Sequence, residues 1–271
     1  MNQQEFDSHQ WALILGGSSG FGLATAQRLS QAGMNICIVH RDRRGSMERI
    51  EQDFATIRRE DRAFLTFNVD ALAPDGVNAV LEGLKQKLGS EGRIKLLMHS
   101  IAYGNLKPIA PNRAQPDQPL LEEEDMARTI HSMGTSLLTW VQKTFAAGLF
   151  AADARVIGMT SEGNEVAWRG YAAVAAAKCA LESVSRAIAV EFGAYGIRSN
   201  IIQAGITDTP ALRLIPGNEQ MKSAAIARNP LRRLTETADV AGVVYLLTRP
   251  EARWINGALI RVDGGEHIGS A

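Results

Sequence analysis

The chain has 271 residues, with 29 lysines and arginines balancing 29 aspartates and glutamates, and 45% of its residues are hydrophobic. This length suffices for a large buried core, and the presence of only two cysteines excludes a disulfide scaffold. The zero net charge argues against a protein that binds nucleic acid mainly through its phosphates. Cys37 and Cys179 lie in apolar or alanine-rich segments, which favours core residues in a reducing compartment.

The N-terminal segment and the apolar runs indicate no membrane association. Residues 1–10 are polar and lack the basic start and apolar stretch of a secretory signal. The longest apolar runs span a few residues, whereas crossing a bilayer requires about 20. We therefore expect a soluble, cytoplasmic protein with no nucleic-acid partner, no membrane partner and no metal site.

Seven short apolar segments alternate with longer segments of helical periodicity. The short segments are continuously apolar, which is typical of strands buried on both faces. This pattern predicts an α/β fold with one doubly wound, seven-stranded parallel sheet, helices on both faces and a single domain over residues 1–271. The predicted strands are 13–15, 36–39, 63–67, 94–98, 155–159, 197–202 and 258–262, and the segments between them are 21–32, 43–60, 75–88, 126–150, 171–192 and 238–247.

One segment departs from this alternation. Residues 105–120 contain Pro108, Pro111, Pro116 and Pro119, four of the nine prolines. One interpretation is a rigid surface excursion. The other is the rim of an active site, because the segment follows the fourth strand and ligands of open α/β sheets bind beyond the carboxyl ends of the strands.

A glycine-rich turn follows the first strand and opens the first helix, with the spacing G-x-x-x-G-x-G. Glycines in this position let backbone N–H groups approach a pyrophosphate at a helix N-terminus. The context predicts a dinucleotide site, with an ordinary tight turn as the alternative. The expected contacts are Gly16, Ser18, Ser19, Gly20, Phe21 and Gly22.

The residues after the second and third strands bear on the identity of the dinucleotide. Arg41 lies nineteen residues after Gly22, and a guanidinium suits the 2′-phosphate of NADPH. Asp42 leaves NADH as the alternative, and a solvated charge run that includes Arg43 and Arg44 is the other reading. Asn68 and Val69, at the end of the third strand, are expected to border the adenine.

Tyr171 and Lys178 form a second motif, seven residues apart on the helix after the fifth strand. This spacing is about two helical turns, so both side chains lie on one helix face. A neighbouring cation lowers the pKa of a tyrosine. Lys178 is expected to do this and to reach the ribose of a bound cofactor.

Together with these motifs, Ser161, Asn200 and the run Asp263-Gly264-Gly265 resemble the short-chain dehydrogenase/reductase family over about residues 11–265. The resemblance implies a single-domain Rossmann fold, a nicotinamide cofactor and a homotetramer in which segments 126–150 and 171–192 pair. The cofactor contacts that it implies include Ser100, Ile101, Ala102, Thr160, Tyr171, Lys178, Ala204, Gly205, Ile206, Thr207 and Thr209.

Four departures from the commoner carbonyl reductases are similar to bacterial enoyl-acyl-carrier-protein reductases. They are the run His99-Ser100-Ile101-Ala102, His131 in the next helix, the ten residues from Ser161 to Tyr171, and Ala204-Gly205. The serine at position 161 resembles the NADPH-using branch of those enzymes. The resemblance implies reduction of the C2=C3 bond of an enoyl thioester in fatty acid biosynthesis, with Tyr171, Lys178 and Ser161 as catalytic residues.

Two alternative functions remain. One is a carbonyl reductase such as a 3-oxoacyl-thioester reductase, for which Ser161, Tyr171 and Lys178 would also serve, and the other is a catalytically silent nucleotide-binding regulator. Residues of about 206–231 are expected to form a lid over the substrate, and His131 to be a structural histidine that ties its helix to the site. The substrate is expected to be a small molecule or an acyl thioester on a carrier protein. Arg228, Arg232 and Arg233 are a candidate surface for such a carrier, with solvated side chains as the alternative.

Overall fold

The computed structural model describes residues 5–113 and 116–270. Residues 1–4, 114–115 and 271 lie outside the described residues. Of these, residues 1–4 belong to segment 1–10 and residues 114–115 to the proline-rich segment. Among the described helices, none combines the length and apolar character needed to span a bilayer.

One parallel sheet of seven strands organises the chain, as the apolar segments predict. The strands pair in the order β3-β2-β1-β4-β5-β6-β7, and every pairing is parallel. The strands are β1 (Gln10–Leu15), β2 (Asn35–His40), β3 (Phe64–Asn68), β4 (Arg93–His99), β5 (Phe150–Thr160), β6 (Ile197–Ala204) and β7 (Leu259–Val262).

Each of the six connections between successive strands contains at least one helix. Parallel strands require a crossover that brings the chain back to the end of the sheet at which the previous strand began. The helices are α1 (Gly20–Gln31), α2 (Met47–Ala55), α3 (Pro74–Leu88), α4 (Glu123–Ile130), α5 (Ser136–Ala146), α6 (Ala172–Glu191), α7 (Asn218–Arg228) and α8 (Thr237–Thr248).

Successive residues of β1 enter two different hydrophobic cores. Leu13 and Leu15 belong to a core that includes residues of α3, α5 and α6. Ala12 and Ile14 belong to a second core that includes residues of α1, α2 and α8. The sheet is therefore covered on both faces, which confirms the predicted doubly wound architecture.

The helix predicted over 126–150 is interrupted. A π-helical turn, His131–Thr135, separates α4 from α5. Helix α5 ends at Ala146, and Phe150, the last residue of the predicted helix, instead begins β5. In the π-helical turn Gly134 lies against α6 so closely that a Cβ atom on it would be 2.7 Å from the carbonyl oxygen of Ala177. Hydrophobic periodicity does not reveal such an insertion, because the residues on both sides keep a helical pattern.

The strand order places the site. From β1 the chain builds outward through β2 and β3, and then returns to add β4 on the other side of β1. The connections that follow β1 and β4 therefore lead in opposite directions. They leave a crevice at the carboxyl ends of these two strands, where open α/β sheets bind ligands.

The packing of α5 against the sheet is expected to contribute to the free energy of unfolding through Trp140. Trp140 of α5 is fully buried, and its indole Nε1 donates to the carbonyl oxygen of Ala71 at 2.9 Å. We expect Trp140→Ala to lower the free energy of unfolding by about 3–5 kcal/mol, because it leaves a cavity and an unpaired carbonyl. Leu246→Ala, on α8 and 59% exposed, is the control, because it lies outside the helices expected to pair between subunits. Equal unfolding midpoints for the two variants would contradict the packing described.

Candidate active site

Two adjoining cavities open at the carboxyl edge of the sheet. The glycine cavity lies over the turn after β1 and extends to Arg41. The tyrosine cavity lies over the end of β5 and contains Ser161, Tyr171 and Lys178. The two cavities share the residues Phe21, Ser100, Ile101, Ala102, Thr209, Ala211 and Leu214, so a long ligand can extend through both.

The turn after β1 and the first turn of α1 each contain a position that accepts only glycine. Gly16 has a φ of +83°, and a Cβ atom there would lie 2.5 Å from the carbonyl oxygen of Ser100. A Cβ atom on Gly22 would collide with the carbonyl oxygen of Gly16. Ser19, at the start of α1, makes no side-chain capping bond, so the first amides of the helix are open to a ligand. This arrangement fits the pyrophosphate of a dinucleotide.

Most residues predicted to bind the cofactor at this end line the glycine cavity. Gly22 and Asn68 do not. Gly22 is buried beneath Gly16, and Asn68 braces the neighbouring turn by accepting from the amide of Asp42 at 3.0 Å and donating to its carbonyl oxygen at 3.1 Å. The predicted residues that line the cavity are Gly16, Ser18, Ser19, Gly20, Phe21, Arg41, Val69, Ser100, Ile101, Ala102 and Thr209.

The charge run after the second strand contributes one arginine to the glycine cavity. Of the three neighbouring arginines, only Arg41 lines the cavity, while Arg43 and Arg44 are exposed outside it. Asp42 also lines the cavity, and one oxygen of its carboxylate is 2.9 Å from Nδ1 of the buried His40. One cation and one anion therefore stand side by side where the second strand ends.

Tyr171, Ser161 and Lys178 come together in the tyrosine cavity. Tyr171 directly precedes α6 and Ser161 directly follows β5, and their hydroxyl oxygens are 3.1 Å apart. Lys178 lies two turns further along α6, where its buried ammonium donates to the carbonyl oxygen of Met159 at 2.7 Å. The other predicted residues that line this cavity are Thr160, Ala204, Gly205, Ile206 and Thr207.

Burial dominates the electrostatics of this site. It raises the pKa of Tyr171, which the hydrogen bond with Ser161 partly offsets. It lowers the pKa of Lys178 to about 8, which the carboxylate of Glu182 partly offsets. The expected lowering of the tyrosine pKa by Lys178 is therefore not what the structure shows, because the phenol is buried and the ammonium donates to the Met159 carbonyl instead.

Glu182, one turn beyond Lys178 on α6, braces the turn that carries Ser161. Its carboxylate accepts from the hydroxyl of Thr160 at 2.6 Å and from the amide of Asn164 at 2.5 Å, on either side of Ser161. The motif spacing did not indicate a role for Glu182, although its position four residues after Lys178 places it on the same helix face.

Two further neighbours orient the Tyr171 ring. Trp168 packs against it edge to face, with the ring centroids 5.5 Å apart. A Cβ atom on Gly163 would collide with the phenol ring, so the backbone lies directly against it. These contacts join residues that share no periodic pattern, and motif spacing therefore did not reveal them.

An apolar wall surrounds the hydroxyl groups and comes from four separate segments of the chain. Leu106 comes from the proline-rich segment, which supports the interpretation of that segment as part of the rim. Met133 comes from the π-helical turn, and several others come from the predicted lid. The apolar residues of the wall are Leu106, Met133, Trp168, Val174, Leu212, Leu214, Ile215 and Met221.

The two histidines of the resemblance lie outside the cavities. His131 begins the π-helical turn, is exposed and has Thr135 as its hydrogen-bond neighbour at 3.5 Å, so the prediction that it ties the helix to the site is wrong. His99 is fully buried, and its Nε2 lies 2.8 Å from the hydroxyl of Ser136. Burial and the charge of Lys178 lower the pKa of His99 to about 3, so it is neutral near pH 7.

All three arginines expected to face a carrier protein are engaged within the chain, and Arg232 donates to the carbonyl oxygen of Ala227 at 2.7 Å. Arg228 pairs with Glu162 and Glu266, which attaches the end of α7 to the tyrosine cavity. Arg233 makes a two-point ion pair with Asp239 at 2.6 and 2.9 Å.

The remaining residues of the resemblance hold the C-terminal strand in place. Asn200 bonds to the backbone of Ile255 and Ala258, and Asp263 accepts from the amides of Gly265 and His267.

Comparison with known proteins places this geometry in a family. Residues 16–267 match a family model described as enoyl-(acyl carrier protein) reductase. The chain is 24% identical to 1-cyclohexenylcarbonyl-CoA reductase of Streptomyces collinus, over 98% of this chain and 90% of that protein. It is 26% identical to the 3-oxoacyl-(acyl-carrier-protein) reductase MabA of Mycobacterium bovis, over 95% of this chain and 92% of that protein.

Solved structures share the fold. A short-chain dehydrogenase from Burkholderia cenocepacia in complex with NADP has a TM-score of 0.80 and 25% identity, covering 97% of this chain and 99% of its own. FabI from Candidatus Liberibacter asiaticus has a TM-score of 0.82 and 21% identity, covering 97% of this chain and 96% of its own. With the family model spanning most of its length, the chain belongs to the short-chain dehydrogenase/reductase family and is an NAD(P)-dependent oxidoreductase.

Proposed function

We propose that the protein is an NADPH-dependent reductase of the C2=C3 double bond of an enoyl thioester. The observation that carries the proposal is the convergence of the Ser161 and Tyr171 hydroxyls, 3.1 Å apart, inside an apolar cavity that adjoins the glycine cavity. The enoyl chemistry is further supported by the match to the family model and by the relative that is named as a reductase of an unsaturated acyl-CoA.

The hydroxyl pair accounts for the handling of charge during the reaction. A bound nicotinamide dinucleotide supplies the hydride. As hydride adds to C3 and negative charge develops on the thioester oxygen, the Tyr171 Oη–H donates to that oxygen and Ser161 supplies a second donor. The enolate then takes up a solvent-derived proton at C2, which completes the saturated thioester. A preorganised donor of this kind is worth roughly 3–4 kcal/mol. Because burial raises the pKa of Tyr171, the phenol keeps its proton at neutral pH and remains a donor.

The apolar wall accounts for the choice of an acyl substrate. Leu106, Met133 and Val174 lie around the Tyr171 side of the cavity, where an acyl chain can bury its methylene groups. The residues of segment 206–231 that line the cavity include Leu212 and Met221, so this segment can exclude water over the substrate as a lid. Hydrogen bonds to the developing oxyanion are stronger once water is excluded.

Arg41 supports NADPH over NADH within this proposal. It is the arginine that reaches the rim of the glycine cavity, and a guanidinium matches the geometry of a phosphate. Lys178, buried beside Tyr171, would hold the ribose next to the nicotinamide.

The proposal extends to assembly and cellular role. Apolar side chains stay exposed on the two helices expected to pair between subunits, Leu138 on α5 at 38% and Val190 on α6 at 81%. They support a homotetramer, in which such side chains would be covered. The cellular role proposed is cytoplasmic fatty acid biosynthesis, with the acyl group carried on coenzyme A or on a carrier protein.

A 3-oxoacyl-thioester reductase is the second candidate. Two hydroxyls that converge on one point suit a ketone oxygen as well as a thioester oxygen. The exposed position of His131 also removes one feature that favoured the enoyl reaction. A catalytically silent regulator is disfavoured, because Tyr171 and Lys178 both line the cavity.

A substrate comparison tests the assignment. We expect NADPH oxidation, followed by its absorbance, to be at least about tenfold faster in kcat/KM with crotonyl-coenzyme A than with acetoacetyl-coenzyme A, a preference of about 1.4 kcal/mol. Turnover of acetoacetyl-coenzyme A alone would replace the enoyl assignment with the second candidate.

Removing each hydroxyl tests the oxyanion role. Tyr171→Phe is expected to lower kcat by about 100- to 1,000-fold, because it deletes the principal donor. Ser161→Ala is expected to lower kcat by about tenfold. Tyr195→Phe, at a tyrosine that is 60% exposed and outside both cavities, is the matched control. If Tyr171→Phe retained the activity of this control, the phenol would have no part in the reaction.

The pH dependence follows from the buried ammonium. Since the pKa of Lys178 is about 8, its charge is present below that pH and is lost as the pH rises through it. A charged ammonium is the stronger donor to the ribose, so kcat/KM for NADPH should fall above about pH 8. Lys178→Arg retains the charge and should flatten this limb. The same limb in the arginine variant would assign the titration to another group.

A further inference from the structure

The guanidinium of Arg41 is already engaged in the structure. Its Nη1 lies 2.6 Å from Oδ2 of Asp70, and the guanidinium lies 4.8 Å from the centre of the Tyr103 ring. All three side chains line the glycine cavity. A ligand phosphate that approached Arg41 would therefore find the guanidinium already paired with the carboxylate of Asp70.

Asp70 is held in this position by its own backbone. Its Oδ1 accepts from the amide of Leu72 at 2.9 Å, in a turn that leads into α3. The other oxygen, Oδ2, is thereby directed toward Arg41 across the ends of β2 and β3. The carboxylate is 38% exposed and the arginine side chain 50% exposed, so water and ligand can reach both.

A phosphate dianion and Asp70 repel each other at this rim. The guanidinium must either leave Asp70 or be shared between the two anions, and both cost free energy. A ligand without the phosphate leaves the Arg41–Asp70 pair intact and incurs no such cost. The neighbouring carboxylate of Asp42 faces the same cavity with His40 behind it, whereas the carboxylate bonded to Arg41 is that of Asp70.

We propose that Asp70 reduces the preference of this site for NADPH over NADH, by acting as an internal counter-anion that competes with the 2′-phosphate for Arg41. This inference rests on the proposed use of NADPH and deepens it. Arg41 alone would make the site strongly selective for the phosphorylated cofactor. Asp70 reduces that selectivity by neutralising Arg41 when no phosphate is bound.

The test is a binding titration of the full-length protein, without substrate. Dissociation constants are measured calorimetrically for NADPH, for NADH and for adenosine 2′,5′-bisphosphate. Asp70→Asn keeps an Oδ1 acceptor for the Leu72 amide and removes the charge that faces Arg41. Asp75→Asn is the matched control, because Asp75 is an exposed carboxylate five residues further along that does not line the cavity.

We expect Asp70→Asn to tighten binding of NADPH and of the bisphosphate by about two- to five-fold, the range for an exposed ion pair. Binding of NADH should be unchanged, and Asp75→Asn should change none of the three. If Asp70→Asn left NADPH binding unchanged or weakened it, Asp70 would be neutral or would orient Arg41 for the phosphate, and the proposal would be overturned.

Arg41→Ala separates this inference from the proposed cofactor. If Arg41→Ala weakens NADPH binding while Asp70→Asn does not tighten it, the competition proposal alone fails. If Arg41→Ala leaves NADPH binding unchanged, the proposed phosphate contact fails, and the competition fails with it. A thermal melt of each variant by circular dichroism confirms that differences in binding arise in folded protein.

Discussion

The contact on which the site depends is the junction between α6 and the end of β5. The buried ammonium of Lys178 donates to the carbonyl oxygen of Met159, and one turn later Glu182 accepts from Thr160. A third bond, between Tyr171 and Ser161, joins the start of α6 to the residue after the strand. Because these bonds link a helix to a central strand, the hydroxyl pair is positioned by the core of the protein rather than by a mobile loop.

The same junction explains why the acid–base character of the site is set by burial. Withdrawing Tyr171 and Lys178 from water raises the pKa of the phenol and lowers that of the ammonium. The two shifts bring the pKa of Lys178 to about 8 while keeping the phenol protonated near pH 7. A site arranged in this way has a fixed hydrogen-bond donor and a titratable neighbour two helical turns away.

The second structural constraint joins the two cavities. Gly16 lies directly against the carbonyl oxygen of Ser100, so the turn after β1 and the end of β4 meet without an intervening side chain. The residues that follow Ser100 line both cavities. The boundary between the two cavities therefore falls at the point where the strand order reverses, the place where open sheets of this topology bind ligands.

Features with strong local causes were predictable from the sequence. Continuous apolar runs identified the strands, because both faces of the sheet are buried. The turn around Gly16 was identifiable because no larger residue fits there, and the spacing of Tyr171 and Lys178 because a helix has a fixed period. The cavity lining by most of the expected residues follows from these elements, and their cofactor contacts remain predictions.

Features that depend on tertiary contacts were not predictable. In the π-helical turn Gly134 lies directly against α6, and His131 is exposed to solvent. The partner of Arg41 is an aspartate 29 residues away, on a different connection. The apolar wall gathers residues from four segments that share no pattern. In each case the information lies in which segments meet, and a single sequence does not carry it.

Tracing the hydride tests the central claim most directly, namely that the protein reduces C3 of an enoyl thioester. The measurement uses NADPH with both C4 hydrogens of the nicotinamide replaced by deuterium, together with crotonyl-coenzyme A, and locates the deuterium in the product by mass spectrometry and NMR. The account predicts butyryl-coenzyme A with one deuterium at C3 and none at C2. Absence of a butyryl product, or deuterium at C2, would contradict it.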